Sequence, residues 1–342
     1  MKVLCYSSFT FSYLNRARVL FQTVRRFHPD WELVALMVDE PPPGFDFYPA
    51  MEPFDRVVWP GDLEIPNLRS WLFKHDVIEI STAVKGPFMR QACAAGAHDA
   101  VIYLDPDTAL LADLSPLVAW LEDYDILLTP HLIEPNHERS AILDNDLSAS
   151  KTGIFNLGFC AVRTTGEGAR FADWWAERLL NFCYDDIPNG LFVDQRWCDH
   201  APALFDRLKV IRDPGYNVAS WNLSTRTVAI GKDGAITVNG RPLRFWHFTK
   251  LGPTGDAMTR RYAGGNFEVY EIWNWYKRQI DETTDPAIPA RWWAYGVYAD
   301  GAAIAKADRV LYRERADLQT AFPDPFQSGL GTYQQWLAEQ PR

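Results

Sequence analysis

Positive charge is in short supply. The 34 Lys and Arg are outnumbered by 44 Asp and Glu, leaving a formal charge of −10. Binding to a nucleic-acid backbone needs clustered Lys and Arg, so that partner is excluded. A single nucleotide diphosphate is not, because one metal ion or a few donors can hold it. Cysteine is also scarce. Cys5, Cys93, Cys160, Cys183 and Cys198 are odd in number, and no two stand at CxxC spacing. That argues against a zinc site or a disulfide framework, and for buried free thiols in a reducing compartment. No apolar run approaches the ~20 residues of a membrane-crossing helix. The opening MKVLCYSSF has one Lys before an apolar stretch that polar residues interrupt at once. It does not read as a secretory leader. Cytoplasmic placement is therefore expected, with peripheral association at the inner membrane face compatible with it. The sequon Asn222-Leu-Ser224 is then a chance match. Repeats and low-complexity tracts are missing.

What is present suits a packed interior. With 342 residues the prior is one large domain or two fused lobes. Hydrophobic residues make up 47%, with 14 Trp, 14 Tyr and 20 Phe, which disfavours disorder. Lys2 to Ser8 reads as a buried strand. Asn15 to His28 places Ala17, Leu20, Phe21 and Val24 at helical spacing, and Pro29 stops it. Trp31 to Glu40 is a second buried strand. Strand, helix, strand opens a parallel α/β sheet. Further strands are predicted at Arg56–Trp59, Val101–Asp105, Asp125–His131, Gly153–Arg163, Leu208–Ile211 and Leu243–Thr249. Helices are predicted at Ser81–Ala95 (with a break or restart at Gly86-Pro87), Leu114–Tyr124, Glu167–Phe182 and within Asp194–Phe205. Ile133 to Ser150 is polar and aperiodic and reads as a mobile loop, a candidate lid. Beyond residue 260 the chain is rich in Trp, Tyr and Pro and reads as helical.

The stretch VIYLDPDTALL carries the chemistry. Asp105 and Asp107 follow an apolar strand, and open α/β sheets bind ligands beyond the carboxyl ends of their strands. Two carboxylates this close repel unless a cation or a proton lies between them. A hard divalent ion, Mn²⁺ or Mg²⁺, resolves the conflict and leaves positions for phosphate oxygens. A plain strand-to-helix turn with Asp107 as N-cap is the alternative. LDPDT also matches the DxDxT start of the haloacid dehalogenase-like phosphatases, where Asp105 would be the nucleophile. Their later Gly-Asp-acidic loop has no counterpart: Gly61-Asp62 lies upstream, and no acid follows closely on Gly255-Asp256.

Four stretches in order resemble the GT-A fold of nucleotide-sugar-dependent glycosyltransferases, most closely the family 8 type of bacterial galactosyl- and glucosyltransferases. They are STAVKGPFMRQACAAGAHDAVIYLDPDTALLADLSPL, FNLGFCAVR from Phe155, VDQRWCDHAPALF, and FWHFTK from Phe245. The resemblance covers roughly residues 1 to 265. It implies an α/β, Rossmann-like mixed central sheet flanked by helices as a catalytic domain of residues 1–265. A helical, aromatic-rich C-terminal extension over 266–342 follows.

The resemblance also implies roles. Asp105, Asp107 and His247 would hold the ion. Ser7, Ser8 and Thr10 would lie around base and ribose, with Asp39 also facing the nucleoside. Lys85 would stand near the donor and Lys250 near the departing diphosphate. Asn156, Asp194 and Gln195 would surround the transferred sugar, with Gln195 on its β face. Each has a plain structural counterpart: His247 stacked between Trp246 and Phe248, Lys85 solvated, Asp194-Gln195 an N-cap. The implied reaction moves a hexose from a UDP-sugar to a carbohydrate, glycolipid or glycoprotein acceptor, with retention. A silent sugar-binding protein of the same fold is the remaining alternative. The chain departs from the pattern at Pro106, at FNLG in place of FNAG, in the FTKLGP spacing, and at Thr129-Pro130-His131, where an acid is expected. GYNVASWNL fits a bacterial subgroup. The cluster Trp273, Trp275, Tyr276, Trp292, Trp293 and Tyr295 could stack sugar rings of an acceptor, but is assigned mostly to the core.

Overall fold

The strands β1 (Val3–Phe9), β2 (Glu32–Met37) and β4 (Ala100–Leu104) are almost continuously apolar, and the computed structural model, which describes residues 1–340, buries nearly every one of their side chains. Such runs need a cover on both faces. One sheet of seven strands results. Its order is Leu208–Val210, β6 (Ile126–Pro130), β7 (Phe155–Arg163), β4, β1, β2 and β3 (Arg56–Val58). All neighbours are parallel except β7, which runs antiparallel to both β4 and β6. The Rossmann-like mixed sheet flanked by helices expected from the sequence is the fold observed.

Alternate side chains feed two layers. Leu4, Tyr6, Val101 and Tyr103 pack with the helices Lys85–Ala94 and Gly166–Phe182. Val3, Cys5, Ile102 and Leu104 pack with Leu14–Phe27 and Ser115–Asp123. The first pair of helices touches at Gly86, where a Cβ would fall 2.8 Å from Ala176 Cα. The restart predicted at Gly86-Pro87 falls just before it: Val77–Ala83 ends and Lys85–Ala94 begins at Val84. Pro87 lies in the first turn, where its missing N–H has no helical partner to lose.

One expectation is corrected. Ile133–Ser150 is not an irregular loop throughout. It is helical from Arg139–Ala141 through a wide turn, Ile142–Asp146, into Leu147–Thr152. The apolar Leu143 and Leu147 point outward, while the buried positions are Ala141 and Asn145, four apart and one of them polar. No apolar period marks such a helix. Polar bonds fasten it instead: Asn136 Nδ2 donates to Asp146 Oδ1 at 2.7 Å, and Arg261 Nε lies 2.6 Å from Asp144 Oδ2.

The C-terminal region is helical as read, with Pro253–Ala263, Phe267–Thr283, Lys306–Glu314, Ala316–Ala321 and Tyr333–Ala338. It shares its core with the sheet layers. Phe248 stacks on Tyr276 at 3.7 Å, and Tyr295, Tyr312, Phe326 and Tyr333 join the layer that holds Tyr6 and Tyr103. All five cysteines are free and buried, as expected. Asn222 of the sequon is 1% exposed, which leaves no room for a glycan. Among the described residues no helix is long and apolar enough to cross a membrane.

Candidate metal and substrate site

After β4 the backbone turns sharply. Asp105 N donates to Gly158 O of β7 at 2.9 Å, and Thr108 N closes the turn on Asp105 O at 3.0 Å. The next strand, β5 (Thr108–Leu110), pairs antiparallel with Phe245–His247 and sets His247 opposite Thr108. This pairing carries an imidazole from far along the chain to the two acids. His247 Nε2 lies 3.1 Å from Asp107 Oδ1 and 3.7 Å from Asp105 Oδ2. One donor atom from each of Asp105, Asp107 and His247 falls within 4.8 Å of the others. The ring lies flush on Gly158, where a Cβ would be 2.5 Å from His247 Cε1. Only glycine permits that approach.

Two carboxylate oxygens and one imidazole nitrogen, facing one point, suit a hard or borderline divalent cation. Burial pulls the His247 pKa down, but Asp107 and then Asp105 outweigh it and the net shift is upward. Burial pushes Asp107 up, and His247 reverses it to a net downward shift. Both directions favour opposite charges on ring and acid, an attraction that a metal ion would replace.

Lys85 sits beneath. Its Nζ lies 3.1 Å from Asp105 Oδ1, 2.8 Å from Asp194 Oδ2 and 3.1 Å from Leu157 O. The Lys85 and Asp194 side chains are each 3% exposed, so this is a buried ion pair rather than a solvated lysine. Burial works against the charge of Lys85, yet Asp105 and Asp194 raise its pKa well above the usual value. Burial dominates at Asp194 and lifts its pKa against the pull of Lys85. Tyr103 completes the group, donating its OH to Asp105 Oδ1 and lying under Lys85 Nζ, 4.2 Å from ring centroid to nitrogen.

A cleft of about 680 Å³ opens over these groups and takes in Ser8, Thr10, Lys85, Asp105 and Asp107. Ser8 Oγ donates to Ser81 O at 2.6 Å, and Thr10 and Ser12 share a hydroxyl–hydroxyl bond of 2.8 Å. Asn156 forms part of a polar set against Gly158, whose N–H its Oδ1 accepts at 3.1 Å. Its Oδ1 accepts from Asn217 Nδ2 at 2.9 Å, and its Nδ2 meets His131 Nε2 at 3.2 Å. Burial brings the His131 pKa down to about 4, so the ring is neutral and accepts from Asn156. Gln195 Nε2 donates to Thr152 O at 2.8 Å, tying it to the helical segment corrected above.

Three candidates lie elsewhere. Ser7 Oγ is buried without a partner, on the opposite face of β1 from Ser8. Asp39 is fully buried and accepts backbone N–H bonds from Phe11, Glu40 and Ala294. Lys250 is exposed at φ +56°, outside the cleft lining. Sequence reasoning missed Ser12, Tyr13, Val77, Ile78, Ala290, Arg291, Gly296 and Val297, which line the cleft together with Trp292 and Trp293. Trp292 and Trp293 belong to the aromatic cluster that the sequence assigns mostly to the core, and nothing in the sequence singles out Arg291 beside them.

No family model matches the chain. It is 33% identical over 151 residues to the uncharacterized protein YfnF of Bacillus subtilis strain 168, covering 44% of this chain and 48% of that protein. It is 28% identical over 149 residues to the uncharacterized protein YfnD of the same organism, covering 43% and 45%. The chain therefore spans about half the length of these curated relatives. Similar solved structures include the galactosyltransferase LgtC with donor and acceptor sugar analogues, at 16% identity and TM-score 0.44 over 85% of this chain and 98% of that one. The bifunctional glycosyltransferase WbbM follows at 12% and 0.42, over 79% and 51%. Mouse xyloside xylosyltransferase 1 matches at 15% and 0.41, over 74% and 98%. These are likenesses of chain course, and the reading below rests on the side chains.

Proposed function

We propose that this chain is a metal-dependent glycosyltransferase that moves a hexose from a UDP-sugar to a glycan, glycolipid or glycoprotein acceptor, with retention of configuration. The observation that supports it best is the convergence of Asp105, Asp107 and His247 at the end of a buried strand, with both acids lining a cleft. Asp105, Asp107 and His247 would hold a divalent ion, whose Lewis acidity would stabilise the departing diphosphate.

The chain's own groups do the rest. Lys85 fixes Asp105 and Asp194 in place and keeps local charge near balance. Ser8 and Thr10 offer hydroxyls to the ribose, with Ser7 beneath them in the same strand. Asp39 holds the nucleoside end through the backbone it binds. Asp194 and Asn156 take hydroxyls of the transferred sugar, and Gln195 stands on its β face near the reacting carbon. Lys250, outside the cleft lining, would have to move to meet the diphosphate as it leaves. Retention follows if the acceptor attacks from the side that the nucleotide vacates.

The test is a panel of nucleotide sugars, each with Mn²⁺, read by thermal stabilisation and by release of nucleotide. A UDP-sugar is expected to stabilise the wild type, and Asp107→Ala is expected to abolish the metal-dependent part while keeping the fold. Full transferase activity in that variant would remove the site assignment.

A further inference from the structure

The four motifs leave one wall of the cleft unaccounted for. Part of the lining comes from the end of β1, from Val77, Ile78, Ser81 and Thr82, and from Asp105–Asp107; Ala290–Trp293, Gly296 and Val297 supply another part. This wall is bolted down. Trp292 Nε1 donates to Glu40 O at 2.7 Å and Trp293 Nε1 to Val38 O at 3.3 Å. Ala294 N donates to Asp39 Oδ1 at 2.7 Å, and Arg309 Nη2 binds Tyr295 O at 2.5 Å. Both indole donors are thus engaged with backbone, so the rings offer carbon surface to the cleft. Ile78, 61% exposed, and Tyr13, 39% exposed, add to that apolar lining. Apolar groups left open in a cleft beside a few polar ones are the usual makings of a ligand site.

Arg291 stands on the same wall. It is exposed, and among the described residues no carboxylate lies within ion-pair distance of it. Its charge has a use. Asp105, Asp107 and Asp194 are balanced by Lys85 and one divalent ion. Among the described residues, Arg291 is then the cation of the cleft lining left for the phosphates of a bound nucleotide, Lys250 lying outside that lining. A guanidinium fits phosphate in a bidentate way.

Resting on the transferase reading above, we infer that Ala290–Val297 is the second wall of the nucleoside diphosphate site, with Trp292 packing against the base and Arg291 pairing with the diphosphate. Asp39 acts as a positioning residue, joining this wall to the ends of β1 and β2.

The experiment uses the full chain with Mn²⁺, reading calorimetry and amide hydrogen exchange. UDP is expected to slow exchange across residues 290–297. Arg291→Ala is expected to weaken UDP about tenfold and leave uridine unchanged, and Arg291→Lys to recover part of the loss. Trp292→Leu is expected to weaken uridine and UDP alike. Among the described residues Arg291 has no hydrogen-bond or ion-pair partner, so its variants are expected to melt with the wild type. If the wild type binds UDP while Arg291→Ala binds it equally well and exchange over 290–297 is unchanged, the inference falls and the transferase reading stands. If the wild type binds no nucleoside diphosphate with Mn²⁺, both fall together.

Discussion

At the scale of single residues, Gly158 and Lys85 decide most. Gly158 gives His247 the space to lie on the backbone of β7, and a methyl group there would have to occupy the position of the imidazole edge. Gly158→Ala is expected to displace the ring and weaken Mn²⁺ binding by about tenfold or more, as judged by calorimetry. Unchanged affinity would mean that His247 is not a ligand. Lys85 is the cation between two acids, both its side chain and that of Asp194 being 3% exposed. Removing one partner of a buried pair strands the other, so Lys85→Met is expected to lower the unfolding free energy by about 3 kcal/mol. Chemical denaturation measures it, and Lys85→Met with Asp194→Leu is expected to recover a large part.

At the scale of elements, Asp39 links the end of β1, the end of β2 and the segment around Ala294. Burial pushes its carboxyl up to about 7 against the three N–H groups that pull it down. The fold therefore favours the protonated acid. Its contribution is full below about pH 4 and fades as the pH rises through about 7. Urea midpoints of the wild type and Asp39→Asn at about pH 5 and about pH 8 give the check. The difference is expected to move against the wild type by up to about 2 kcal/mol as the pH rises. A pH-independent difference would show that Asp39 stays ionised throughout.

Elements were legible where burial was complete. β1, β2 and β4 announce themselves as unbroken apolar runs because helices cover both faces. Asp105 and Asp107 could be placed from the strand before them. His247 could not be placed by spacing, since the β5 pairing that delivers it joins distant parts of the chain, and only the family resemblance pointed to it. Arg139–Thr152 stayed hidden because its helix is held by Asp144 and Asp146 rather than by an apolar stripe. Trp292 and Trp293 were hidden for the opposite reason. Adjacent tryptophans suit a core equally well, and only closure of the chain sets them at a cleft.

At the scale of the whole molecule, the sheet and the later helices stand or fall together. Helix Phe267–Thr283 buries Val269, Ile272, Trp273, Tyr276 and Ile280 in the cluster that holds Val19 and Phe248. A chain ending at residue 265 would leave that surface in water. It is expected to lose cooperative unfolding, which circular dichroism in urea would record. A sharp transition in that fragment would show that the first 265 residues fold alone.

The five thiols turn this architecture into its own gauge. Cys5 lies in one layer of the sheet, whereas Cys93, Cys160, Cys183 and Cys198 lie in the other. Burial pushes Cys5 and Cys93 up to about 12 and raises Cys160, Cys183 and Cys198 well above the usual thiol range, so an alkylating reagent finds little thiolate while the layers are closed. Peptide mapping after brief labelling during unfolding would therefore tell which side of the sheet lifts first, with no reporter group added.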